Sequence, residues 1–146
     1  MRRKILICVP LLIFVVVLIY PYKTVIAPVW KIRVVDKNGK PVKGEFVQEA
    51  WKHYSLDLDP SENSEGRWSD EDGYVIFPER TIRASLLRRA LVPVLNGLRL
   101  QEHSSFGPRA YVTVWGSDNA PKSVSYRQNE PLPKEITLPV WDEDQR

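Results

Sequence analysis

Arg67-Trp68-Ser69-Asp70-Glu71-Asp72-Gly73-Tyr74-Val75-Ile76-Phe77 sets consecutive acids before a glycine and an aromatic-aliphatic run. It can be read as a cation site or as a turn. Clustered carboxylates offer the hard oxygen ligands that Ca²⁺ takes. A turn wants Asp for its side-chain-to-backbone bonds and Gly for positive φ. The turn explains more of the stretch. Tyr74 to Phe77 has strand-forming composition, and Pro78 ends it. Asp70 to Gly73 is therefore read as the turn that feeds a strand, and the chain as a β protein.

The flanking segments follow the same logic. Val29 to Val35 alternates apolar with basic residues, the period of a half-buried strand. Asp36-Lys37-Asn38-Gly39-Lys40-Pro41 is a hairpin signal. A second strand is expected from Val42 to Tyr54, a polar loop from Leu56 to Gly66, and a short strand at Trp68–Ser69. From Ile82 to Leu98 the apolar spacing becomes helical, with Pro93 expected to end or kink the helix and Asn96-Gly97 to make the exit. Strands resume at Ala110–Trp115, Ser123–Arg127 and Glu135–Trp141, the last an edge because of Pro139. The expected fold class is mainly β: an antiparallel sandwich of about seven strands with one inserted helix, about 82–98.

The N-terminus departs from this pattern. Arg2-Arg3-Lys4 precedes an uncharged run from Ile5 to Tyr20. Extended to Tyr22, it spans roughly 27 Å as a helix, close to the bilayer's hydrocarbon thickness. The division expected is a cytoplasmic tail (1–4), a transmembrane signal-anchor helix (5–22) and an extracytoplasmic domain (23–146). The basic flank orients the tail to the cytoplasm, and Tyr20, Tyr22 and Lys23 suit the interface. A cleaved signal peptide and a buried core helix are the rival readings. Val25-Ile26-Ala27 is a poor cleavage site because Pro28 follows it. The localisation implied is the inner membrane, single-pass, with the domain periplasmic or extracellular.

Charge follows the same division. Of 21 Lys and Arg, Arg2, Arg3, Lys4 and Lys23 flank the apolar run, leaving 17 bases against 18 acids. No basic patch argues for a nucleic-acid partner. Cys8, the single cysteine, lies in the apolar run, so the domain relies on its core and not on disulfides.

Two motifs carry a family resemblance. Val34-Val35-Asp36-Lys37-Asn38-Gly39-Lys40-Pro41-Val42-Lys43-Gly44-Glu45-Phe46-Val47 resembles the opening of carboxypeptidase regulatory-like domains, and Ser69-Asp70-Glu71-Asp72-Gly73-Tyr74-Val75-Ile76 is similar to their second signature. Glu45 stands where that family has a small residue. The resemblance implies a transthyretin-like (prealbumin) sandwich and a binding or structural role. 5-Hydroxyisourate hydrolase shares that fold but ends in Tyr-Arg-Gly-Ser, which this chain lacks.

Candidate chemistry is sparse. Asp57, Asp59, Ser61, Asn63 and Glu65 alternate like the oxygens of a calcium loop, but an EF-hand would need Gly where Glu62 stands and Glu where Trp68 stands. His53 and His103 are the only histidines. His103 with Ser104 or Ser105 could serve a hydrolase, but no nucleophile-elbow motif supports it. Most of Trp30, Trp51, Trp68, Trp115 and Trp141 are expected in the core. Arg83, Arg88 and Arg89, with His103, form a possible partner surface that otherwise reads as a solvated helix face. No cofactor or catalytic residue is indicated. The expectation is a non-enzymatic, membrane-anchored binding or structural module, held by the lipid bilayer through 5–22, with an envelope protein or glycan as partner. The alternatives are a carbohydrate- or calcium-binding accessory domain and a hydrolase using His103.

Overall fold

The computed structural model describes residues 2–59, 61–98, 106–116 and 121–138. Its elements run α1 (Arg2–Ile19), β1 (Tyr22–Ala27), β2 (Trp30–Val35), β3 (Phe46–His53), β4 (Asn63–Trp68), β5 (Tyr74–Phe77), β6 (Arg80–Ala84), α2 (Leu86–Leu98), β7 (Pro108–Trp115), β8 (Pro121–Arg127) and β9 (Glu135–Thr137). The protein is mainly β, in sheets of order β4-β3-β7-β8, β5-β2-β9 and β1-β6.

The turn reading of Asp70–Gly73 holds in atomic detail. Asp70 Oδ1 accepts the N–H of Asp72 at 3.0 Å and of Tyr74 at 2.7 Å, and the Gly73 N–H donates to the Asp70 carbonyl at 3.0 Å. Asp36 repeats the device: its Oδ1 accepts from Asn38 and Lys40, both at 2.8 Å. Gly73 and Gly39 sit at φ +76° and +77°. The outcomes of the two turns differ. Asp70–Gly73 precedes β5, which lies against β2 from Trp30↔Phe77 to Arg33↔Tyr74. The Asp36 turn makes only a local bridge, Val35↔Pro41, before the chain leaves for the other sheet. The expected first hairpin is thus a crossover. Ser69 fixes the crossing chain, accepting the Glu45 N–H at 2.9 Å and donating to the Val42 carbonyl at 2.8 Å.

The β2–β9 ladder is parallel, so the sheets are not wholly antiparallel; the other ladders between named strands are. Nine strands form among the described residues, against about seven expected. β4 lies where a loop was read, because its residues carry no apolar alternation and are ordered by pairing with β3 from Phe46↔Trp68 to Trp51↔Asn63. Ile82 and Ala84 belong to β6, not to a helix. α2 starts at Leu86, where Ser85 Oγ caps the Arg88 N–H, and it continues through Pro93. The last expected strand is shorter, Glu135–Thr137, and residues 139–146, including Pro139 and Trp141, lie outside the described residues.

The N-terminal expectation also needs correction. α1 stops at Ile19 and Tyr22 is already in β1. Pro21 accounts for the stop, since it lacks an N–H and disfavours helical geometry in the residue before it. Of the 18 residues of α1, Arg2, Arg3 and Lys4 are charged. The apolar remainder reaches only about 22 Å, short of the hydrocarbon core. No helix among the described residues is long and apolar enough to cross a membrane.

One core joins the sheets. Trp30, Ile32 and Val34 from β2, Val75 and Phe77 from β5 and Ile136 from β9 pack with Val47 from β3 and Ala110, Val112 and Val114 from β7. Trp30 is fully buried and its indole donates to the Pro133 carbonyl at 2.8 Å.

Candidate binding surface

Side chains alternate across a strand, so β3 separates two environments. Val47, Glu49, Trp51 and His53 face inward; Phe46, Gln48, Ala50 and Lys52 lie on the other face, as the β3–β7 register and core membership require.

The inner face is apolar at the β2 end and charged at the β6 end. Glu49 is fully buried. Arg80, from β6, donates Nε to Glu49 Oε2 at 2.7 Å and Nη2 to Glu65 Oε2 at 2.6 Å. Its guanidinium lies 3.8 Å from the Trp51 ring centre. Arg67 joins Glu65 at 2.7 Å and donates to the Ile76 carbonyl at 2.7 Å. Burial raises the Glu49 carboxyl above its ordinary range, against the pull of Arg80. Hydrogen bonds from Arg80 and Arg67 hold Glu65 below that range. Complementary charges and forked hydrogen bonds make this a structural network.

The outer face exposes Trp68, Ser64, Ser123 and Ser125, while Ala50, Lys52 and Thr113 on it are buried. β4 pairs Trp68 with Phe46, whose rings meet edge-to-face at 5.1 Å. Trp68 is 68% exposed. The Phe46 ring lies over Gly66, so closely that a Cβ there would fall 2.1 Å from its Cζ. Behind these rings runs a floor of small and polar side chains. The register aligns Gly66, Gln48, Thr113 and Ser123 in one row and Ser64, Ala50, Tyr111 and Ser125 in the next. Thr113 and Ser123 share a hydrogen bond of 2.7 Å. Glu62 closes the far side, accepting from Tyr54 at 2.6 Å and Tyr111 at 2.5 Å. Burial and the Glu62 bond push the Tyr54 hydroxyl up to about 12; the Glu62 bond and burial do the same for Tyr111. Burial would raise Glu62, but its two phenol bonds and Lys52 leave it below the usual value. Trp115, 43% exposed, lies on the same face of β7. Such a face offers aromatic rings with hydroxyl groups and the Gln48 amide beside them.

The other anticipated residues are dispersed. Asp57 and Asp59 accept local bonds, Asp59 Oδ1 from both the N–H and hydroxyl of Ser61. Glu65 points inward to the arginines, so the alternating oxygens do not converge. No group of three His, Cys, Asp or Glu able to hold a metal occurs among the described residues. His53 is 7% exposed and its Nδ1 has no hydrogen-bond partner among the described residues. Burial, then the nearby Arg89, lowers its pKa. His103, Ser104 and Ser105 lie outside the described residues.

The expected arginine surface is split. Arg83 is exposed on β6. Arg88 and Arg89 are half-buried: Arg88 Nε donates to the Leu56 carbonyl at 2.9 Å, and Arg89 bonds the Ala84 and Tyr22 carbonyls and Thr24. They tie α2 down and do not form a solvated face.

Sequence reading missed the outer sheet face. Trp68 and Trp115 had been grouped with candidate core tryptophans. The usable signal was Asn63-Ser64-Glu65-Gly66-Arg67-Trp68, where charged residues alternate with small ones and then Trp. If the charges face inward to partners, the tryptophan must face out. Comparison with protein-family models, curated proteins and solved structures finds no match.

Proposed function

We propose that this chain is a non-catalytic binding module held at a membrane by α1, and that the outer face of the β4-β3-β7-β8 sheet takes a carbohydrate. The observation that carries the ligand class is Trp68, exposed and braced by Phe46, beside rows of small and polar side chains. An aromatic face stacks on the apolar C–H face of a sugar ring, and hydroxyl and amide groups then fix its hydroxyls. Calcium finds no comparable support, because Glu65 is already neutralised by Arg80 and Arg67.

The fold assignment is the transthyretin-like sandwich of carboxypeptidase regulatory-like domains. It is supported by the paired Asp-x-x-Gly turns and by a core shared between two sheets. The location is the inner membrane, with the domain on the extracytoplasmic side. It is supported by the exposure of the apolar side chains of Val9, Leu11 to Val17 and Ile19 and by the basic flank at Arg2, Arg3 and Lys4. A short apolar helix can be accommodated by local thinning of the bilayer and snorkelling of flanking bases.

Co-sedimentation of the full chain, in detergent micelles, with insoluble polysaccharides of several linkages tests the ligand class. Retention on at least one polysaccharide is expected. Trp68→Ala should lose most of it while lowering unfolding stability by only about 0.5–1.5 kcal/mol, the worth of its edge-to-face pair with Phe46. Wild-type protein in the supernatant throughout, or unchanged retention of Trp68→Ala, would remove this reading.

A further inference from the structure

Helix α2 has its polarity reversed. Its charged residues, Arg88 and Arg89, are half-buried and bonded to backbone carbonyls and Thr24, and Val92 is buried. Leu86, Leu87, Leu91, Val94 and Leu95 are exposed by 41% to 60%, and Ala90 is exposed among them. At helical spacing these residues cover about half the circumference as one continuous apolar face. A helix against water would turn the other way. The inward bonds fix this orientation, so the face is presented outward by construction.

The location names what covers it. The β1–β6 ladder sets Tyr22 opposite Ala84, so α2 starts beside the point where the chain leaves α1. The two helices are in contact. Tyr20 and Tyr22, edge-to-face at 5.2 Å and both exposed, stand at this junction. On the ladder Lys23 lies directly across from Arg83, and both are exposed. Like charges opposite one another are unfavourable on their own. Lys23 reaches Glu79, while Arg83 has no ion-pair partner among the described residues. An apolar helix face, two tyrosines and an exposed guanidinium gathered at the end of an apolar helix match the layers of a lipid interface.

We infer that α2 lies along the bilayer surface, its leucine face among the upper acyl chains and Arg83 at the phosphates. This rests on α1 being membrane-embedded. Two contacts with the bilayer then hold the domain in one orientation, whereas α1 alone would leave it free to swivel.

The test uses the full chain with Cys8→Ser in phosphatidylcholine vesicles containing phosphatidylglycerol. Single cysteines at Leu12 (α1), Leu91 (α2) or Ile76 (exposed on β5) carry the fluorophore NBD. Brominated lipids act as depth-dependent quenchers. The expected result is blue-shifted, quenched emission at positions 12 and 91 and water-like emission at 76, with 91 quenched most by bromines near the headgroup. Quenching at 12 with water-like emission at 91 overturns the inference and leaves the anchor intact. Water-like emission at both 12 and 91 overturns the anchor reading and the inference with it. A blue shift at 91 without quenching shows a protein covering the face and overturns lipid as the occupant.

Discussion

Around Trp30 the chain buries apolar side chains; around Arg80 it buries charge and turns aromatic and aliphatic groups outward. Trp30, Ile32, Val34, Phe77 and Val112 form a core of the ordinary kind, with one indole hydrogen bond. At the other flank Glu49 is fully buried, Arg80 bridges it to Glu65, and Trp68 on the same edge strand as Glu65 is exposed. α2, which follows β6, is reversed in the same sense, its arginines inward and its leucines outward. A core of the first kind is held by many interchangeable contacts. The second kind is held by a few specific bonds, and its outward apolar groups are left available to a ligand or a lipid surface.

The sharpest way to break this contrast is Arg80→Met. It removes the only cation bonded to Glu49 among the described residues and leaves a carboxylate with no exposure. Breaking one side of a buried pair costs about 3–5 kcal/mol. The unfolding midpoint in urea, followed by tryptophan fluorescence, should fall accordingly. Adding Glu49→Met should recover much of the loss, because the uncompensated charge disappears with it. A single-variant loss below about 1 kcal/mol would mean that the flank is not held by this network.

The two Asp-x-x-Gly turns allow a finer version of the comparison. Their φ values and Asp bonds nearly coincide, but a Cβ on Gly39 meets nothing within 4 Å, whereas one on Gly73 lies 2.6 Å from the Val34 carbonyl. Gly39→Ala carries only the left-handed penalty, about 1–2 kcal/mol. Gly73→Ala adds backbone overpacking, for a total of roughly 2–5 kcal/mol. Equal losses for the two variants would show that the approach of Gly73 to β2 has no energetic weight.

Those turns were legible because Asp and Gly act locally, through bonds within four residues. The strands around Trp30 were legible because apolar alternation coincides with burial there. The β4 strand and the outward tryptophans were not, because hydropathy assigns charge to the outside and aromatics to the inside. Only the pairing of Glu65 and Arg67 with partners distant in sequence reverses that assignment. The start of α2 was hidden for a related reason. Ile82 and Ala84 fit a helical stripe as well as a strand, and it is the β1 partner that makes them strand. The end of α1 was readable at Pro21, which a count of apolar residues alone passes over.

The smallest expected effect is a difference in pH response between the flanks. His53 ends β3 on the charged side, and burial, then Arg89, lowers its pKa, while Asp57 pulls the other way. The folded chain therefore resists protonation there, and the unfolded chain takes the proton first, near the ordinary value of about 6.5. Stability contributed by neutral His53 is present above that value and is lost as pH falls from it toward the lower folded value. Glu49 acts in the opposite direction: its raised pKa favours the folded state as pH falls toward the ordinary carboxylate range. The informative quantity is consequently the difference between wild type and His53→Gln. Urea midpoints measured from pH 7.5 to pH 5 should decline less in His53→Gln than in wild type. Parallel declines would show that His53 does not couple the charged flank to pH, and the two flanks would then differ in packing alone.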